Sequence, residues 1–100
     1  MINEQQAARD GHASYLRSLL ASGASPDTRD ENGWTPLIHA SAAGHDEIVQ
    51  YLLQNGAAPN ARTSNGMTAA TLAAANGHAS IARMLFDAET GVGPQARVPH

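Results

Sequence analysis

At 100 residues and 42% hydrophobic content, the chain is one globular domain, too short for two and too apolar for disorder. A net charge of −3, with six scattered arginines and no lysine, argues against nucleic-acid and polybasic membrane contacts. The absence of cysteine excludes disulfides and thiolate chemistry, and no apolar run approaches the ~20 residues of a membrane span, so a cytoplasmic location is expected.

From the N-terminus, Glu4, Gln5, Gln6 and Arg9 surround Ala7 in a first short helix that stops at Gly11-His12. These polar residues are expected to shield the outer face of a terminal unit, and residues 1 and 2 stand where a helix cap belongs. Tyr15 and Leu19-Leu20 belong to a second helix, closed by Gly23-Ala24 ahead of Pro26-Asp27. Asn32-Gly33 then predicts a tight turn at a hairpin tip. Thr35 stands as an N-cap, with Pro36 at the first helical position, where its missing N–H costs nothing. Leu37, Ile38, Ala40 and Ser41 continue that helix to Gly44. Asp46 and Glu47 open the next one, at the positive end of its dipole, and Ile48, Val49, Leu52 and Leu53 give it one apolar stripe. Gly56 ends it and Pro59 blocks continuation. Asn65-Gly66 repeats the turn, Thr68 the cap, Ala73 the helix interior, Gly77-His78 the break, and Ile81 with Leu85-Phe86 the last helix. The segment from Gly91 to His100 has two glycines, two prolines and little periodicity, and reads as a non-regular tail, either a flexible terminus or a segment folded back over the last helix through Val92 or Val98.

These features recur at one interval. Gly11-His12, Gly44-His45 and Gly77-His78 are 33 residues apart, as are Asn32-Gly33 and Asn65-Gly66, and Leu19-Leu20, Leu52-Leu53 and Leu85-Phe86. A shared period of this length is the mark of a repeat array. Thr35-Pro36-Leu37-Ile38-His39-Ala40, followed by Gly44-His45, Ile48-Val49, Leu52-Leu53 and Gly56-Ala57, resembles the ankyrin repeat signature. The resemblance covers residues 2–90. It implies an all-α solenoid of stacked antiparallel helix pairs with short projecting hairpin loops, in units of about 1–31, 32–64 and 65–90. The third unit departs from the pattern: Ala69 and Ala70 replace Pro-Leu, and Glu89-Thr90 replaces the closing Gly-Ala.

The resemblance also implies a function, which is to bind another protein through the hairpin tips and the exposed side of the first helices. On this sequence the tips supply Arg29, Asp30, Glu31, Asn32 and Trp34, then Arg62, Thr63, Ser64, Asn65 and Met67. The helices supply Arg9, then Ala42 and Ala43, then Ala75 and Asn76. Trp34 follows a turn glycine rather than joining an apolar stripe, and tryptophan is enriched among interface hot spots. Met67 shares its slot one unit later, as Arg62 shares that of Arg29. The competing reading of Trp34 is that it packs across the hairpins and covers the stack.

Other constellations have plain readings. His12, His45 and His78 are in register, but successive units stand ~10 Å apart, too far for one zinc with ~2.1 Å bonds. The resemblance instead has these histidines hydrogen-bond backbone groups at the glycine turn, and His39 reads as a packing or hydrogen-bonding residue. No nucleophile elbow or phosphate loop is present, so neither catalysis, nor a cofactor, nor a metal is expected. The chain is expected to be a monomer. An alternative function is structural, with self-association through the last helix by Ile81, Met84, Leu85 and Phe86.

Overall fold

The computed structural model describes residues 2–90, which form six helices: α1 (Glu4–Asp10), α2 (Ala13–Ala21), α3 (Pro36–Ala43), α4 (Asp46–Gln54), α5 (Ala69–Ala75) and α6 (Ala79–Thr90). The tail expected at 91–100 lies outside the described residues. Thr35 and Thr68 cap α3 and α5 as expected, accepting the N–H of Ile38 at 3.3 Å and of Thr71 at 3.2 Å. The first unit differs. Asn3, not residues 1 and 2, caps α1: its Oδ1 accepts the Gln6 N–H at 3.0 Å, and the Gln6 side chain accepts the Asn3 N–H at 3.4 Å. This reciprocal pair is a capping box, and its sequence signal was the three-residue spacing from Asn3 to Gln6. At the other end α6 runs through Thr90, because Glu89 stands where Gly56 stops the preceding unit.

The helices pair as α1 with α2, α3 with α4 and α5 with α6, and the first helices stack in a row, α1 on α3 on α5. Ala7, Ala8, Ala40 and Ala73 are fully buried, and such small residues let the helices of this row approach closely. Leu16, Ile48, Val49, Leu52, Ile81 and Leu85 fill the space between the first and second helices. The first helices pack against one another more extensively than the second helices do. In the second row Arg17 reaches across to Glu47 at 2.6 Å and covers the Tyr51 ring at 5.4 Å. Both ends of that ion pair are exposed, so it contributes only ~0.2–1 kcal/mol.

Two expectations are corrected by this packing. Gln5 does not belong to a polar outer face: it is 8% exposed, and its Nε2 donates to the Thr28 carbonyl at 2.6 Å. Thr28 in turn donates to Glu4 Oε2 at 2.9 Å, so the polar start of α1 ties down the loop that leads to the next unit. Ile81 and Leu85 likewise cannot serve self-association, because they are 1% and 0% exposed and lie in the chain's own core. Of that set only Phe86, at 59%, is exposed, with Met84 half-buried. The corresponding Leu20 and Leu53 of the earlier units are partly buried against the core.

Ser41 is a weak point in the stack. It is fully buried between units and its hydroxyl has no hydrogen-bond partner among the described residues. Ala8 and Ala74 hold the equivalent places in the neighbouring units. A buried hydroxyl without a partner costs ~1–3 kcal/mol, so Ser41→Ala is expected to stabilise the chain by about 1 kcal/mol, a rise of ~4–8 °C in Tm for a domain of this size. A thermal melt showing a lower Tm would mean that the hydroxyl has a stabilising partner.

Candidate functional site

The two hairpins are built by short acceptor side chains at equivalent places. In the first, the Asp30 N–H donates to the Trp34 carbonyl and the Gly33 N–H to the Asp30 carbonyl, each at 2.9 Å. Asp30 Oδ1 accepts the N–H groups of Asn32 and Trp34, also at 2.9 Å. In the second, Thr63 does the same work, its hydroxyl accepting from Asn65 at 3.2 Å and Met67 at 3.1 Å. Aspartate and threonine both suit this turn because a short side-chain oxygen can reach the N–H groups two and four residues on. The hairpins are joined by Ser64 N–H, which donates to the Asn32 carbonyl at 3.0 Å.

Among the described residues, only the first hairpin has a side-chain hydrogen bond to its helix. Asp30 Oδ2 accepts from His39 Nε2 at 2.9 Å, and the His39 ring meets the Trp34 indole with centroids 4.8 Å apart at 42°. Burial pushes the Asp30 carboxyl up, but the His39 hydrogen bond and the N–H groups of Trp34 and Asn32 outweigh it and hold it below the usual carboxylate range. Leu72 stands at the equivalent of His39 in the third unit and cannot make such a bond. Trp34 is therefore supported from behind. It is half-buried, packs against the core, and keeps part of its indole in an open groove.

That groove, of about 470 Å³, is lined by Arg9, Asp30, Asn32, Trp34, His39, Ala42 and Ala43. It lies between the first hairpin and the C-terminal ends of α1 and α3. Of the residues read at the tips and helix ends, Arg9, Asp30, Asn32, Trp34, Ala42 and Ala43 are thus brought together, and His39 joins them. His39, expected to serve packing or a local hydrogen bond, does both. Its signal was the pairing of a turn aspartate with a helix histidine nine residues on.

The remaining candidates lie elsewhere. Ser64, Asn65 and Met67 belong to the second hairpin, the first two exposed and Met67 half-buried. Ala75 and Asn76 are exposed at the end of α5, where the Asn76 amide donates to the Ala42 carbonyl at 2.9 Å and so bridges two units. Glu31 is exposed at the first tip. Arg29 and Arg62 brace backbone: Arg29 donates to the carbonyls of Gly33 at 2.9 Å and Arg62 at 2.8 Å, and Arg62 to that of Gly66 at 3.1 Å. The charge of each guanidinium remains at the surface, but its direction is set by the hairpins.

His45 crosses between units rather than bonding only at its own turn. Its Nε2 donates to the Arg9 carbonyl at 2.9 Å, and its ring lies against Gly11. His78 lies against Gly44 in the same way. A larger open hollow, of about 1020 Å³, runs along the outer face of the first unit from Ile2 to Gly11 and Tyr15, whose hydroxyl donates to the Ile2 carbonyl at 3.0 Å. Among the described residues no group of His, Asp and Glu is arranged to hold a metal, and no helix is long and apolar enough to cross a membrane.

Helix pairs broken by left-handed glycines, stacked through their first helices and carrying hairpins along one edge, define a helical repeat solenoid. The repeat is that of ankyrin: residues 5–97 match the family described as "Ankyrin repeats (3 copies)", and the chain belongs to that family. Ankyrin repeats are generally protein–protein interaction modules, and the family is typically non-enzymatic. No curated protein matches the chain.

Proposed function

We propose that the chain binds a partner protein in the groove between its first hairpin and the ends of α1 and α3, with the indole of Trp34 as the central contact. The observation that carries this reading is the convergence of Arg9, Asn32, Trp34, Ala42 and Ala43 on one groove. Trp34 offers a large apolar face that is already immobilised by His39, so little side-chain freedom is lost on binding. Ala42 and Ala43 keep the floor shallow enough for a partner helix or loop. Asn32 and the Arg9 guanidinium supply a polar rim, with the exposed tips at Glu31, Ser64 and Asn65 extending it. The reading is of binding without catalysis. Asp30, the one carboxylate lining the groove, spends both oxygens on the hairpin and on His39. A cytoplasmic monomer fits it, since the apolar face of α6 is largely consumed in the core.

A charged side chain placed on the floor tests this directly. Ala43 is exposed at the last turn of α3, where an arginine suits the dipole and should leave stability unchanged. Ala43→Arg is expected to keep the native Tm and to lose at least tenfold in capture of the partner that the native chain retains from cell extract. Equal capture by the two chains would remove the groove from consideration.

A further inference from the structure

The chain contains Asn-Gly four times, at Asn32-Gly33, Asn55-Gly56, Asn65-Gly66 and Asn76-Gly77. An Asn-Gly bond can rearrange without an enzyme, because glycine has no side chain to obstruct its own nitrogen. That nitrogen, on losing its proton, attacks the asparagine Cγ. The side-chain nitrogen leaves as ammonia and a five-membered succinimide closes. Water then opens the ring at either carbonyl, leaving aspartate or isoaspartate. One water is consumed, one ammonia is released, and nothing is oxidised or reduced.

Sequence alone gives the four sites equal standing, and the fold separates them. In each, the glycine N–H is already donated to a carbonyl, at distances of 2.8–3.2 Å, so this protection is shared. The asparagine side chains differ. Asn55 Nδ2 donates to the Tyr51 carbonyl and Asn76 Nδ2 to the Ala42 carbonyl, each at 2.9 Å, which holds Cγ away from the following nitrogen. Asn32 and Asn65 have no side-chain hydrogen bond among the described residues. Of these two, Asn32-Gly33 is clamped: its Asn carbonyl accepts from Ser64, its Gly carbonyl from Arg29, and the Gly33 α-carbon is backed by the Ser64 backbone. Asn65-Gly66 is held by the Arg62 guanidinium alone on its carbonyl side, and a Cβ at Gly66 would meet nothing within 4 Å.

We infer that Asn65 is a spontaneous modification site, the place where the folded chain converts asparagine to aspartate and isoaspartate, with water as co-reactant. The product adds one negative charge to an exposed hairpin tip, and the isoaspartate form also lengthens the backbone by one carbon. The inference concerns the chemistry of the tip and stands whether or not a partner binds there.

The test is to hold the intact folded chain at 37 °C in mildly alkaline buffer made with ¹⁸O water and to map its peptides by mass spectrometry over time. Conversion at Asn65 is expected to run at least tenfold faster than at Asn55 and Asn76, with Asn32 between them. In strong denaturant the four rates should draw together. An Asn65→Gln chain should lose the heavy-oxygen label from that peptide and keep the rest of the pattern. Faster conversion at Asn55 or Asn76 than at Asn65, equal rates at all four sites of the folded chain, or no conversion at Asn65 while the denatured chain converts there would each overturn the inference.

Discussion

Gly44→Val is expected to destabilise the chain by ~3–5 kcal/mol and to abolish cooperative folding at 37 °C. Gly44 closes α3 at φ +86°, a left-handed conformation that costs a non-glycine residue ~1–2 kcal/mol and a β-branched one more. A second term comes from the next unit. A Cβ at this position would stand 2.7 Å from His78 Cε1 and 2.9 Å from its Nε2, and displacing a packed side chain typically costs ~1–3 kcal/mol. Gly77 separates the two terms, since it has φ +83° but no described atom within 4 Å of a Cβ. Gly77→Ala should therefore lose only the backbone term, and Gly44→Ala the backbone term plus the histidine clash. Equal Tm losses for these two alanine variants would show that the His78 contact is unimportant. A Gly44→Val chain that melted like the native one would refute the role given to this turn.

Recurrence at 33 residues made the scaffold legible. Gly44 and His78 were both readable as repeat positions, and so was the helix pair that each unit builds. What the period did not carry is that the glycine of one unit and the histidine of the next are a single contact. Periodicity reports which places are equivalent, while a contact depends on reach between adjacent units. The same limit hid the cap at Asn3, which stands one place later than the register predicts, and the burial of Gln5, whose equivalents are Ile38 and Thr71. Arg29 and Arg62 show the converse. Their shared slot was visible and they were read as partner-facing, but Nη1 of each donates to hairpin carbonyls, which the period does not report. Six of the seven residues lining the proposed groove could be placed from sequence, because tip and helix-end positions need no repeat-specific role. His39 enters through its hydrogen bond to Asp30, which is specific to this unit and which no period could report.

Trp34→Ala is expected to separate binding from folding. The indole is half-buried, so its removal forfeits part of the ~3–5 kcal/mol that a fully buried aromatic supplies. His39 remains fixed by Asp30, and the hairpin keeps its backbone bonds at residue 34, which do not depend on the side chain. A loss of about 1–2 kcal/mol follows for the half that is buried, within what a domain stable by ~5–15 kcal/mol tolerates. Partner capture should fall at least tenfold, equivalent to ~1.4 kcal/mol. Trp34→Phe sharpens the comparison, because it keeps an aromatic ring against His39 while removing the indole N–H and much of the face in the groove. If Phe restores the Tm without restoring capture, the exposed part of the indole is the contact. If both variants capture the partner as the native chain does, Trp34 serves the stack alone, and the groove must bind through Asn32, Arg9 and its alanine floor or not at all. A Trp34→Ala chain that yields no soluble, folded material would assign the residue to packing.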